Sequence, residues 1–173
     1  LLSVLQELSS FVDRFILVDD GSTDSSPRIL KKWVEEHPGD RLITFPRNSG
    51  KASALKAGFS QILKMCEKEP IPEKEIIIIT DSDGQIPAEI IPRAEEILQK
   101  ENLDVLVGRR DFSLYPVYKV LGNKLLSFNA SRFSGFSYHD SECGFRLITL
   151  RALKKIFPYL RGFRYSLEQE LSV

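Results

Sequence analysis

Five short apolar runs, at residues 14–18, 41–45, 75–80, 104–107 and 143–148, alternate with longer stretches whose apolar positions keep helical spacing. The third run, EIIIIT, is β-branched and does not alternate with polar residues. That is the pattern of a strand covered by helices on both faces. Residues 25–36 predict a helix with Asp24 as N-cap and Pro27 in its first turn. Residues 51–66 predict another, carrying Ala54, Leu55, Gly58, Phe59, Ile62 and Leu63 on one face. Pro70 and Pro72 break the chain before the third run, and a further helix is expected over 88–100.

Strand and helix alternating with short connections predict an α/β fold, a mainly parallel sheet with helices on both faces. Beyond residue 110 the alternation weakens. Helices are expected over 115–133, over 149–156 with Thr149 as cap, and from 166 onward. The chain reads as one domain over 1–173, with a nucleotide-binding part at 1–110 and an acceptor-side part at 111–173. Leu2, Leu5 and Leu8 already keep helical spacing at the first residue, and the last residues read as mid-helix. The expectation is a domain truncated at both ends, lacking its first strand.

Composition changes this picture little. Hydrophobic residues make up 42% and charged residues 28%, as in an ordinary soluble protein. Lys+Arg and Asp+Glu balance at 24 each, so no nucleic-acid partner is announced. No apolar run approaches the roughly 18–20 residues of a spanning helix. Cys66 and Cys143 lack zinc-site or CxxC spacing; two buried or idle thiols, not a disulfide, and a reducing cytoplasm are expected.

Ligands of a parallel α/β sheet sit beyond the carboxyl ends of its strands. Asp19-Asp20, Asp81-Ser82-Asp83 and Arg109-Arg110-Asp111 all fall at such ends. Asp81 and Asp83 would repel each other without a compensating cation, and Mg²⁺ or Mn²⁺ takes one or two carboxylates plus substrate phosphates. Gln85 offers a further oxygen and Gly84 a tight turn. Taken alone, the tripeptide reads equally well as a helix-capping loop. Asp20 can accept from a base or ribose, while the same segment reads as a turn with Asp24 capping. Asn48-Ser49-Gly50-Lys51 is not a phosphate loop, since Phe45 and Ala52 stand where glycine and Ser/Thr are required. Lys51 nonetheless lies near a positive helix end, within reach of an anion.

VDDGSTD, NSGKASALKAGF, TDSDGQ, VGRR and DSECGFR together resemble, in content and order, the family 2 glycosyltransferases of GT-A fold. The likeness is greatest to the dolichol- and polyprenol-phosphate hexosyltransferases and covers residues 15–170. It implies a nucleotide-diphosphate sugar donor, GDP- or UDP-linked, and a polyprenyl-phosphate acceptor at the cytoplasmic membrane face. It implies nucleoside contacts at Val18 and Asp20, and metal ligation by Asp81, Asp83 and Gln85 with Ser82 near the donor. Arg110 matches an arginine beside the donor phosphates. Asp140 to Arg146 resembles an acceptor-side segment, in which Asp140 or Glu142 would be the base for a sugar-hydroxyl acceptor. Glu168 and Glu170 match acids of a late segment. Gln-x-x-Arg-Trp, the processive-synthase motif, is absent.

The expected reaction is an inverting single displacement, with Mg²⁺ or Mn²⁺ neutralising the leaving diphosphate. Asp83, Arg110 and Asp140 are the candidate catalytic residues. A non-catalytic sugar-nucleotide-binding module, a transferase acting on a saccharide hydroxyl and a nucleotidyltransferase are the alternatives. Trp33 is expected on a surface helix, and His37 as a solvated helix-end residue. His139 and Cys143 are expected to be structural. Lys119, Lys124 and Arg132 read either as a solvated face or as a patch for a lipid phosphate.

Overall fold

The computed structural model describes residues 1–109, 132, 143–162, 167, 170 and 171. Five strands occur among them: β1 (Ile16–Asp19), β2 (Arg41–Thr44), β3 (Ile76–Ile79), β4 (Val105–Val107) and β5 (Arg146–Thr149). The helices are α1 (Leu2–Leu8), α2 (Ser26–Glu36), α3 (Lys51–Lys68), α4 (Ile91–Lys100) and α5 (Leu150–Ile156). Each predicted strand is present, shifted or shortened at its ends. The expected helix from 88 divides into a 3₁₀ turn, Ala88–Ile90, and α4, because Pro92 enters at the first turn of the regular helix. The expected helices over 115–133 and from 166 lie outside the described residues, apart from single positions.

β1 and β2 pair in parallel, and β5 lies between β3 and β4, antiparallel to both. β1 and β3 both run opposite to α3. Their amino ends meet its C-terminus through Arg14 and Glu69, which pair at 3.3 Å, and through the turn that follows it. Their carboxyl ends meet its N-terminus through Ser49, Gly50 and Lys51. Four strands thus share one direction and β5 reverses. The predicted α/β mixture of helix with parallel sheet is observed, the parallel pairing being β1 with β2, while β3, β5 and β4 form a separate antiparallel sheet among the described residues.

Three apolar clusters hold the layers together. Leu8, Ile91, Leu98, Phe145 and Leu147 pack with Ile76 and Ile78 on one face of β3. Phe59, Ile79, Ile148 and Leu153 form the other, with Ile77, Leu55 and Ile62 against them. Leu5, Leu30 and Trp33 pack with Phe15 and Leu17 beneath β1 and β2. α1 therefore contributes Leu5 to one cluster and Leu8 to another.

Trp33 is not on a surface: it is 4% exposed. Its indole Nε1–H donates to Asp40 at 2.7 Å, Phe15 meets it edge-on, and His37 stacks on it at 4.0 Å. His37 is accordingly half-buried, where a solvated helix end was expected, with Nδ1 2.8 Å from the Trp33 carbonyl. Helical spacing located this face, but the missing information was its partner. Asp40, in the turn before β2, supplies a buried acceptor that makes an indole tolerable inside.

Candidate active site

The carboxyl ends of β1 and β3 open onto one cavity of about 990 Å³, whose polar rim is Asp19, Asp20, Lys51, Asp81 and Ser82. Each strand places its acids by simply ending. After Asp19 the chain turns at Gly21, φ +74°, where a Cβ would collide with the backbone of Arg47 and Asn48. Only glycine lets the two loops approach this closely. Asp20 fixes the approach: its two carboxylate oxygens accept from Ser49 N–H at 2.7 Å and Gly50 N–H at 2.8 Å. Gly50, φ +88°, then opens α3.

The sequence placed the nucleoside contact at Asp20, but its neighbour has a distinct geometry. Asp19 is only 3% exposed. Its Oδ1 accepts from Ser22 N–H at 3.0 Å, while Oδ2 has no hydrogen-bond partner among the described residues. A buried carboxylate oxygen in that state carries a desolvation cost that a donor group would relieve. The sequence grouped Asp19 with Asp20 at a strand end but gave the nucleoside contact to Asp20, since two adjacent acids give no signal as to which side chain turns inward. Val18 also lines the cavity, with its side chain turned toward Gly58 of α3.

Across the cleft, Lys51 from the first turn of α3 reaches Asp81, with Nζ 2.7 Å from Oδ1 and 2.9 Å from Oδ2. Lys51 therefore does meet an anion, and that anion is Asp81. Gly144, just before β5, lies against the same carboxylate, and a Cβ there would overlap Asp81 and come within 3.3 Å of the Lys51 ammonium. In the loop that follows, Asp83 Oδ1 accepts from Gln85 N–H at 3.0 Å across Gly84, φ +71°. Asp83, Gly84 and Gln85 are exposed. Glu7 of α1 accepts from Ala88 N–H at 3.1 Å and ties that helix to the end of the loop.

No cluster of three or more His, Cys, Asp or Glu side chains suited to a metal occurs among the described residues. Asp81, Asp83 and Gln85 are the oxygen-bearing side chains the sequence assigned to a metal, and all three are among the described residues. Asp81 already holds a cationic group against both of its oxygens, and all the available donors are hard oxygens. That composition suits a divalent ion whose remaining positions are filled by phosphate and water.

Arg110 and Asp140, with Glu142 and His139, lie outside the described residues, as do Lys119, Lys124 and Glu168. Arg109 and Arg132 are exposed. Glu170 accepts from Arg161 N–H at 2.9 Å and Gly162 N–H at 2.8 Å. Cys143 is fully buried and Cys66 half-buried, both without a disulfide.

Helices packed on strands that share one direction except β5, with acids gathered at the carboxyl ends of β1 and β3, give an α/β arrangement consistent with GT-A-like proteins. The chain belongs to glycosyl transferase family 2, whose family model matches residues 1–157. Among similar proteins is the dolichyl-phosphate beta-glucosyltransferase of Dictyostelium discoideum, 27% identical over 93% of this chain and 50% of the relative. Another is the dolichyl-phosphate beta-glucosyltransferase ALG5C of Trichomonas vaginalis, 28% identical over 96% and 50%. A third is the undecaprenyl-phosphate 4-deoxy-4-formamido-L-arabinose transferase of Photorhabdus laumondii, 32% identical over 76% and 37%. The chain spans about half the length of the first two. Among the described residues, no helix is long and apolar enough to cross a membrane.

Proposed function

We propose that this domain transfers a hexose from a nucleotide-diphosphate sugar to a polyprenyl phosphate presented at a membrane surface. The observation that carries the reading is the convergence of Asp19, Asp20, Lys51, Asp81 and Ser82 on one cavity at the strand ends. The names of the three relatives described above, transferases of dolichyl or undecaprenyl phosphate, support the acceptor class.

In this reading the nucleoside lies over the end of β1. Asp19 Oδ2 takes a base N–H, and Asp20 keeps the Ser49–Gly50 turn in place while accepting from the ribose with its remaining lone pairs. Asp81, Asp83 and Gln85 hold Mg²⁺ or Mn²⁺, which when bound supplies positive charge to the diphosphate. Lys51 adds a second charge on the same side, and Arg110 a third. Asp140 stands on the acceptor side. The acceptor phosphate oxygen attacks the anomeric carbon as the bond to the nucleoside diphosphate breaks, inverting that centre. A phosphate oxygen is already anionic at neutral pH, so no strong general base is required.

The test is a screen of GDP- and UDP-sugars against a short polyprenyl phosphate, with the product read by mass. The expected result is one sugar-phospholipid product that requires Mg²⁺ or Mn²⁺ and disappears in Asp83→Ala. Donor binding without turnover, with full-length protein also inactive, would leave a sugar-nucleotide-binding module. Product on a saccharide hydroxyl alone would reassign the acceptor and put the base at Asp140 or Glu142. Release of pyrophosphate from a nucleoside triphosphate would make the protein a nucleotidyltransferase.

A further inference from the structure

Lys51 opens α3 and Asp81 follows β3, thirty residues apart along the chain. Their contact is two-pronged: the ammonium lies 2.7 Å from Oδ1 and 2.9 Å from Oδ2 of the same carboxylate. Gly144 packs against that carboxylate, with the Lys51 ammonium close by. Asp81 is thus held between a cation and a stretch of backbone. Asp83 stands differently. It is exposed, and its Oδ1 accepts from the Gln85 N–H two residues on.

Lys51 is also fixed from behind. Asp20 grips the N–H groups of Ser49 and Gly50, the two residues immediately before it. The Gly50 carbonyl accepts from Ser53 and Ala54 N–H, so this loop and the first turn of α3 form one unit. The lysine therefore leaves a placed backbone on a long, flexible stem whose charged tip can pass between neighbouring anions.

Charge governs what that tip does. With Lys51 on Asp81 the pair is neutral, and the loop presents the charge of Asp83. The affinity of an oxygen site for a divalent ion follows the charge of its ligands. An ion placed on Asp81 beside Lys51 would set two cations against each other. A diphosphate removes the conflict, because it offers the ammonium a second anion and brings oxygens of its own.

We infer that Lys51 is the resident counter-ion of Asp81, a positioning residue that makes divalent-ion loading depend on the nucleoside diphosphate. The inference rests on the proposed metal role of Asp81, Asp83 and Gln85, and deepens it. Without nucleotide, Lys51 compensates the Asp81 charge and keeps the carboxylate aimed into the cleft. With nucleotide, the ammonium passes to a diphosphate oxygen and releases Asp81 to act as an ion ligand. Such coupling is reciprocal, so the ion and the nucleotide strengthen each other by one common factor.

Mn²⁺ titration tests it, with the free ion followed by its paramagnetic resonance and no sugar transfer involved. Titrations are run without nucleotide, with UDP and with GDP, each corrected by a protein-free control. Ionic strength is held constant, since both partners are partly exposed. UDP or GDP is expected to tighten Mn²⁺ binding to the unaltered protein by about tenfold or more. In Lys51→Met, nucleotide-free Mn²⁺ binding should tighten by about tenfold, and the gain from nucleotide should shrink by the same factor. Lys51→Gln carries the same expectation and serves if the methionine variant fails to fold. Lys51→Arg retains the charge and should retain the dependence on nucleotide. A lysine that merely braces the fold would lower the thermal midpoint and leave nucleotide-free Mn²⁺ affinity where it was. That result overturns the inference alone, as long as Mn²⁺ still binds with nucleotide. So does an arginine variant that behaves like the methionine one. Absence of Mn²⁺ binding in every variant, with and without nucleotide, overturns the metal reading and this inference together.

Discussion

Asp40 holds two donors at once, the part-buried Phe15 N–H at 2.8 Å and the buried Trp33 indole at 2.7 Å, in a site where it is only 7% exposed. Replacing Asp40 by Ala strands both donors and opens space beside the ring. The expected loss is about 2–3 kcal/mol, read as a lower urea midpoint with unchanged slope. Gly144 is critical for a different reason. In Gly144→Ala the new methyl competes with the Asp81 carboxylate, the flexible end of a half-exposed side chain that can swing aside. Stability should fall by less than about 1 kcal/mol, while glycosyl transfer falls at least about tenfold, the equivalent of roughly 1.4 kcal/mol. A transfer rate unchanged in that variant would separate Asp81 from the reaction. Asp40 was not legible in the sequence, and Gly144 stood there only within the DSECGFR segment, with no sign of its partner. Asp40 lies in an unremarkable turn, and Gly144 meets Asp81 only because β5 is laid beside β3. The acids themselves were legible because a strand end is a local event.

Among the elements, the junction of β5 and α5 shows how much a short segment can settle. Thr149 ends the strand and accepts the Ala152 N–H at 3.2 Å, the N-cap that the sequence announced. The same hydroxyl donates to Asp104, which also receives two bonds from Arg151. The Arg151 hydrogen bonds, foremost, hold the Asp104 carboxyl below its ordinary value, with Thr149 adding to them. A carboxyl lowered on folding adds stability above the usual carboxylate range and loses it as pH falls through the folded value. Arg151→Ala should therefore flatten the acid side of the stability profile and leave the alkaline side unchanged, as seen in thermal midpoints taken across pH.

Glu95 of α4 has the opposite sign. Burial, then the nearby carboxylates of Asp13 and Glu75, raise its carboxyl above the ordinary value. Its ionised form opposes folding, so stability declines as pH rises through the folded value. Glu95→Gln should stabilise the protein at neutral pH by about a few tenths of a kcal/mol, given its partial exposure. The gain should vanish in acid. Strand and helix positions were readable because period and punctuation are local. The pairing of Asp104 with Arg151 was not, because it joins two connections that meet only in the finished sheet.

The whole molecule is organised by a difference in sequence distance. The bonds that set the acidic rim span short stretches of chain: Asp20 to Ser49 and Gly50, and Lys51 to Asp81. The ladder on which β3 depends is different, since Ile79 waits for Arg146 and Ile76 for Thr149. A chain ended after Arg109 keeps every acid of the rim and loses β5. It should scatter light at micromolar concentration where the 173-residue chain stays clear, and equal clarity would refute that dependence.

The consequence concerns the order in which the protein is made. As the polypeptide leaves the ribosome, four consecutive isoleucines emerge long before the strand that covers one edge of them. During that interval they form a naked apolar edge, the kind that pairs with any neighbouring chain. Anything that slows translation between β3 and β5 lengthens that exposure. The yield of native protein in a cell should therefore follow the pace of synthesis across that interval, and not only the stability of the finished fold.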